Sequence, residues 1–391
     1  MKVLHLFQEY LAFSEAWCFN LLDSMDATSH AIGAFYFSQQ KQFFSEKFDF
    51  INHPNLLPNQ KYYQASEYLS LWEKLRIKIE KEWMNSEEKF FNNWISQNKP
   101  DLLHFHFATT AAKLTKLLDL EIPTVVSFYG FDYEQAPYQN PKLKRAYQNI
   151  FKKADLLLTE GEHGRLQLIK QGCKPEKIKI SRLGVKIGKE PEPKTKGDSI
   201  RLIQIANFLP KKGQSSILEA CRRNYKEWKD RVFITFIGNY GNKYGEGLLN
   251  EYRELIDKEM VEIRQPIPYS KIQNELKKHD VFIHPSTYGP DRDCEGGAPT
   301  ILFDAQMAGL PIISTNHCDI PSSVPPSIKT RLVESENIDM LVNEVNHYLK
   351  MEESVLNSIR NECFQHVKEN FDINKNGAKL ELIYKDSITK N

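Results

Sequence analysis

The residues best equipped for chemistry lie between Asp291 and Thr315, in DRDCEGGAPTILFDAQMAGLPIIST. Pro299 stands where a first helical residue belongs and Gly309 just past a last one, so the spacing predicts a helix over Thr300–Ala308. The turn Gly296–Gly297–Ala298 then delivers free backbone N–H groups at a helix N-terminus. Such a terminus binds phosphate through those amides and the positive end of the helix dipole. Glu295 precedes the helix and Asp304 lies about one turn into it. Two carboxylates so placed would flank a diphosphate and hydrogen-bond sugar hydroxyls at either end of a nucleotide sugar. The plainer reading is an acidic loop followed by a solvated helical aspartate. The proline, the closing glycine and the glycine pair together favour the first reading.

A second element is IANFLPKKG, residues 205–213, where Lys212 precedes Gly213 at the C-terminal edge of a predicted strand. Doubly wound sheets bind ligands at that edge, and a lysine there suits a pyrophosphate leaving group. Taken alone the signal is weak, because KKG also serves as a surface turn. His104 and His106 in HFHF are two residues apart on a strand and so share one face. They either enter a ligand site or simply pack under a helix. His106 is kept as a site candidate. No third ligand is signalled near them, so no metal site is expected.

The elements that must position these residues follow an α/β rhythm. Strands are predicted at Val3–Phe7, Leu102–Phe107, Thr124–Phe128, Asp155–Thr159 and Lys179–Ser181. Others follow at Arg201–Ala206, Phe233–Ile237, Val261–Ile263, Val281–His284 and Pro311–Ser314. Most are continuous apolar runs, as parallel strands covered on both faces require. Helices are predicted between them at Gly164–Gln171, Ser215–Lys229, Tyr269–Lys278 and Thr300–Ala308. The alternation means two doubly wound halves facing each other across a cleft. The charged, proline-bearing segment Ile187–Ser199 reads as the linker. The expected domains are residues 1–193, residues 194–365, and a closing helix over 366–391 that returns to the first half.

Composition narrows the class. The 391 residues are enough for two or three domains at ~100–200 residues each. Lys plus Arg number 52 against 51 acids, a net charge of +1, which argues against a nucleic-acid partner held by a basic field. Six scattered cysteines without CxxC spacing read as free thiols of a reducing compartment. The N-terminus lacks the apolar core of a signal peptide, and no window reaches the ~18 apolar residues of a membrane span. A cytoplasmic protein is expected. Leu71–Ile95, with three tryptophans and several lysines, is amphipathic. It reads as a helix packed on the first sheet in preference to a membrane-surface helix, since its acids balance its bases.

With these residues in view, the chain resembles the retaining nucleotide-sugar glycosyltransferases of family 4, which have the GT-B fold. CEGGAPTILFDAQMAGLPIIST is similar to the signature EGxP…LEA..xGxPVI.T with one extra glycine. ANFLPKKG is similar to GRLxxxKG, and VFIHPS to DVFVxPS. In the first half FSEAWCFNLL, HFHF, SFYGFD, ADLLLTEGE and LGV at 183–185 resemble the corresponding family segments, and ENFDIN resembles the start of the closing helix. The resemblance implies a GT-B fold of two Rossmann-like domains and transfer of a hexose-type sugar from a UDP- or GDP-sugar to a hydroxyl of a glycan or lipid-linked glycan. It also implies retention of the anomeric configuration without metal or other cofactor. Surface polysaccharide assembly would be the setting, with peripheral contact at the inner face of the cell membrane if the acceptor is lipid-linked.

By the same resemblance Lys212 binds phosphate, Glu295 holds the transferred sugar, and Asp304 the ribose. Gly296, Gly297, Ala298, Pro299 and Thr300 line the sugar and diphosphate, while Ser14 and Glu15 serve the acceptor. Two departures stand out. Asn207 occupies the place of a phosphate-binding arginine, and Tyr129 that of a histidine near the reacting centre. Neither supplies positive charge; Arg165 and Lys211 are the candidate substitutes. The competing readings are a catalytically degenerate binder of nucleotide or glycan, a sugar-nucleotide epimerase of the same fold, and a Rossmann oxidoreductase. GNYGNKYG at 238–245 lacks the spacing and position that the last would need.

Overall fold

The computed structural model describes residues 1–11, 15–37, 43–51 and 88–389. The chain divides into two compact units. One comprises residues 1–160, 164–181 and 374–391, and the other residues 161–163 and 182–373. The change of unit falls at 181/182, ahead of the charged segment Ile187–Ser199, because Val185 already pairs with Asp372 in the second unit.

The first unit holds seven parallel strands: β1 (Lys2–Tyr10), β2 (Ser29–Phe37), β3 (Phe48–Ile51), β4 (Leu102–His106), β5 (Thr124–Phe128), β6 (Leu156–Thr159) and β7 (Ile178–Ile180). Their order is β3-β2-β1-β4-β5-β6-β7. The second unit holds β8 (Ile200–Ile205), β9 (Val232–Ile237), β10 (Val261–Arg264), β11 (Val281–His284) and β12 (Ile312–Ser314), in the order β10-β9-β8-β11-β12 and again parallel. The strand order reverses between β1 and β4 in one sheet and between β8 and β11 in the other. At such switch points the loops after neighbouring strands diverge and leave a crevice, which is where open α/β sheets bind ligands.

All ten strands expected from the apolar runs are present, shifted by at most a few residues at their ends. β2 and β3 were not foreseen. SHAIGAFYF interrupts its apolar residues with small ones, and FDFI is a short edge strand, so neither makes a strong run. The helix expected over Ser215–Lys229 is two helices, Gln214–Arg223 and Tyr225–Trp228, broken at Asn224. Of the tryptophan-rich Leu71–Ile95 segment, the part up to residue 87 lies outside the described residues. From residue 88 onward it is helical, and Phe91 and Ile95 are buried in the first unit's core with Trp94 packed against it. Burying each such apolar side chain contributes ~1.5–3 kcal/mol. The helix Ile373–Thr389 belongs from Asn374 onward to the first unit, where Tyr384 is fully buried. Among the described residues no helix is long and apolar enough to cross a membrane.

Candidate functional site

The loops after β8 and β11 build the candidate site of the second unit. Gly213 turns the first of them. It has φ +71°, and a Cβ there would stand 2.0 Å from the Pro285 carbonyl oxygen, so only glycine lets the two loops approach this closely. The Gln204 amide donates to the Lys212 carbonyl at 2.7 Å, and the Thr287 N–H donates to the Lys211 carbonyl at 2.9 Å. So pinned, Lys212 extends its ammonium to Glu295, 2.7 Å from Oε2. The other carboxylate oxygen lies 3.2 Å from His284 Nε2 and accepts from the Ser286 hydroxyl at 2.8 Å. The Glu295 side chain is only 5% exposed. Burial pushes its carboxyl up, but Lys212, the His284 hydrogen bond and Lys211 outweigh it and hold Glu295 well below the usual carboxylate range. His284 is pushed below its ordinary value by burial, against the pull of its bond to Glu295.

The helix after this loop spans Ile301–Met307, inside the expected Thr300–Ala308, with residues 296–300 leading into it. Its first turn closes on the residues before it, the Leu302 N–H donating to the Pro299 carbonyl at 3.0 Å and the Phe303 N–H to that of Thr300 at 2.9 Å. Its end is a Schellman closure: Leu310 N–H donates to the Ala305 carbonyl and Gly309 N–H to that of Gln306, both at 2.9 Å, with Gly309 at φ +78°. Asp304 is buried, and its Oδ1 accepts from the Tyr269 hydroxyl at 3.1 Å and the Gln273 amide at 3.3 Å. Burial raises its carboxyl to about 7 despite those two bonds. Lys211 is engaged with Asp293 at 2.8 Å and the Cys294 carbonyl at 3.1 Å. Asn207 is exposed at the end of β8. Its Oδ1 accepts from the Asn239 N–H at 3.1 Å, joining the loops after β8 and β9.

In the first unit, strand pairing assembles a histidine cluster. His5 of β1 stands in register with His104 of β4, so the face that carries His104 and His106 receives a third imidazole. No third partner is signalled near the pair in the sequence; the third imidazole comes from a strand ninety-nine residues earlier, adjacent only through the sheet. His5 Nδ1 is 3.0 Å from His106 Nε2, and His5 Nε2 is 2.9 Å from His30 Nδ1. His106 is 1% exposed and stacks on Phe7 at 4.3 Å between centroids. Its Nδ1 faces the Tyr129 hydroxyl at 3.2 Å and Cys18 Sγ at 3.7 Å. Burial pushes all four imidazoles down, His104 to about 3 and His30 to about 4, so the cluster is neutral at ordinary pH. Tyr129 heads the short helix Gly130–Glu134 and turns its ring between Trp17 and Phe107. Asp132 locks this corner, accepting from the N–H groups of Tyr129 and Thr109 at 3.1 and 3.2 Å and from the Tyr147 hydroxyl at 3.3 Å. Glu15 precedes the helix Ala16–Asp23, and Ser14 lies outside the described residues.

Two family models account for most of this chain. The model "Glycosyl transferases group 1" matches residues 187–362, and "Glycosyltransferase Family 4" matches residues 20–189. Both halves of the chain thus match glycosyltransferase models. It is 29% identical to the putative colanic acid biosynthesis glycosyltransferase WcaL of Salmonella typhimurium, over 72% of this chain and 70% of that protein. It is equally identical to the amylovoran biosynthesis glycosyltransferase AmsK of Erwinia amylovora, over 58% and 55% respectively. The crystal structure of Anabaena HepE in complex with UDP-glucose shares the fold, with TM-score 0.69 and 14% identity over 99% of this chain and 100% of that one.

Within this glycosyltransferase, the second unit brings Lys212 and Glu295 into direct contact and keeps Asp304 on the same loop-and-helix element. Asn207 Oδ1 is engaged with the loop after β9. Tyr129 and His106 touch each other inside the first unit. Sequence reasoning missed His284 and Ser286, although HPS ends a strand with the same two-residue spacing that marked HFHF. It also missed Tyr269 and Gln273, whose contact with Asp304 exists only after the helix Tyr269–Leu276 docks.

Proposed function

We propose that this glycosyltransferase moves a hexose-type sugar from a UDP- or GDP-sugar to a hydroxyl of a glycan or lipid-linked glycan in polysaccharide assembly, with retention. The observation that carries the reading is the buried Glu295 carboxylate, kept ionised by Lys212 at the switch point between β8 and β11. An ion pair this dry, with further partners in His284 and Ser286, is held ready for a ligand that needs both charges. A diphosphate oxygen takes Lys212, and the freed carboxylate oxygen accepts from a hydroxyl of the sugar. The backbone N–H groups of Gly296, Gly297, Ala298 and Thr300 meet the rest of the developing negative charge, and Asp304 accepts from the ribose. In the retaining route the departing phosphate oxygen takes the proton of the acceptor hydroxyl on the same face of the sugar. The new C–O bond forms there as the bond to phosphate breaks. A preorganised cation at that oxygen is worth a few kcal/mol of barrier. Ser14 and Glu15 are assigned to the acceptor, and the names of the relatives support a bacterial exopolysaccharide as its class. A cytoplasmic protein with peripheral membrane contact fits a lipid-linked acceptor.

The test is calorimetric titration with UDP, GDP and their sugar forms, with and without EDTA, on the parent protein and on Lys212→Ala and Glu295→Ala. Binding of one nucleoside diphosphate that Lys212→Ala weakens, with Glu295→Ala weakening only the sugar-bearing ligand, supports the assignment. Transfer to acceptor glycan is then followed by product mass. Binding without turnover favours the degenerate reading, which the engaged Asn207 side chain supports. Absence of binding across the panel overturns the donor site.

A further inference from the structure

The histidine cluster of the first unit has no part in the donor chemistry above. We propose that His5, His104 and His106 form a binding site for a divalent transition-metal ion of the zinc class. One nitrogen from each ring lies within 4.8 Å of the others, and all three residues are buried. The closest pair, His5 Nδ1 and His106 Nε2, is already 3.0 Å apart. A tetrahedral ion with metal–nitrogen bonds of about 2.0–2.1 Å holds its nitrogens about 3.3 Å apart, so the His5–His106 pair opens slightly while the wider separations close.

The second nitrogens make the stronger case. Metal-bound histidines almost always engage their other ring nitrogen in a hydrogen bond that fixes tautomer and orientation. Here His5 Nε2 has His30 at 2.9 Å, and His106 Nδ1 has the Tyr129 hydroxyl at 3.2 Å. His104 has the Tyr384 hydroxyl at 2.6 Å on Nδ1 and the Ser127 hydroxyl at 2.8 Å on Nε2, so coordination displaces one of these hydroxyls and the other keeps the ring oriented. Coordination requires His5 and His106 to carry their protons outward, toward His30 and Tyr129, where acceptors wait. Binding thus needs a choice of tautomer and no net loss of protons. Imidazole donors suit zinc, copper and nickel over magnesium or calcium, which take oxygen ligands. The ion would tie β1 to β4 at the switch point of the first sheet and hold His106 against Tyr129.

Cobalt(II) reports on the ligands directly. The full chain, stripped with chelator, is titrated with Co²⁺ and separately with Zn²⁺, desalted, and its metal content measured by mass spectrometry. The second candidate cluster, Cys294, His317 and Cys318 in the other unit, is the internal control. The expected result is one ion retained per chain, visible d–d bands without a thiolate-to-cobalt charge-transfer band, and no change in Cys294→Ser/Cys318→Ser. In His5→Asn the affinity should fall at least 10-fold. X-ray absorption of the unmutated zinc form, showing a nitrogen shell with imidazole scattering, decides the matter should His5→Asn fail to fold. Retention of no ion, or a spectrum with sulfur ligands that the cysteine substitutions abolish, overturns the proposal.

Discussion

Replacing Lys212 by methionine tests whether the Glu295 pair is the electrostatic centre of the second unit. The charges are 2.7 Å apart, and the side chains are 17% and 5% exposed. At an effective dielectric of about 20 the gross attraction is about 6 kcal/mol. Breaking such a buried pair costs about 3–5 kcal/mol, because the remaining charge stays desolvated. In the parent protein the Glu295 carboxyl is depressed, so its contribution is complete above the unfolded value near 4.5 and lost only as pH falls through the lower folded value. From pH 6 to pH 8 that contribution is flat. Without Lys212, burial becomes the dominant influence and lifts the folded value above the unfolded one. The sign then reverses: the native state binds the extra proton, and stability falls as pH rises. Urea unfolding at pH 6, 7 and 8 should therefore show a loss of about 3–5 kcal/mol at pH 8, shrinking by up to about 1.4 kcal/mol per unit toward pH 6. Lys212→Met/Glu295→Gln should recover part of the loss, since it removes the stranded charge. A loss independent of pH, or a double variant no better than the sum of the singles, refutes this reasoning.

Three further outcomes follow from the same geometry. Asp304 has a folded value raised to about 7, so it lowers stability as pH climbs from about 4 toward 7. Asp304→Asn should flatten that slope, gaining relative to the parent at pH 8 in thermal unfolding, while weakening the nucleotide in calorimetry. Gly213→Ala forces a Cβ to 2.0 Å from the Pro285 carbonyl at a positive φ, and should cost ~1–3 kcal/mol or more in urea unfolding and misplace Lys212. Asp132→Ala strands the N–H groups of Tyr129 and Thr109 and the Tyr147 hydroxyl. At ~1–3 kcal/mol for each buried group left unpaired, it should lower the melting temperature far more than a surface aspartate would.

The fold class and the second-unit loops were legible because their signals are local. Apolar runs report strands within a handful of residues. Pro299 and Gly309 mark a helix by backbone chemistry that acts at the residue itself, and the Schellman closure at Leu310 is the outcome. Lys212 and Glu295 stood out for the same reason, each beside glycines at a strand's C-terminal edge. The sequence therefore determined which residues stand at the switch point of the second sheet. It also determined, in outline, the chemistry that they offer.

Only the tertiary structure decided who meets whom. The pairing of Lys212 with Glu295, eighty-three residues apart, depends on two loops being clamped where Gly213 passes Pro285. The ionisation of Asp304 is set by a helix that docks on it, and Asn207 becomes a loop brace because β9 ends beside it. The histidine cluster is the clearest case. His104 and His106 share a face by strand periodicity, which the sequence shows. His5 joins them only because β1 pairs with β4 in parallel, and register between distant strands is a property of the whole sheet.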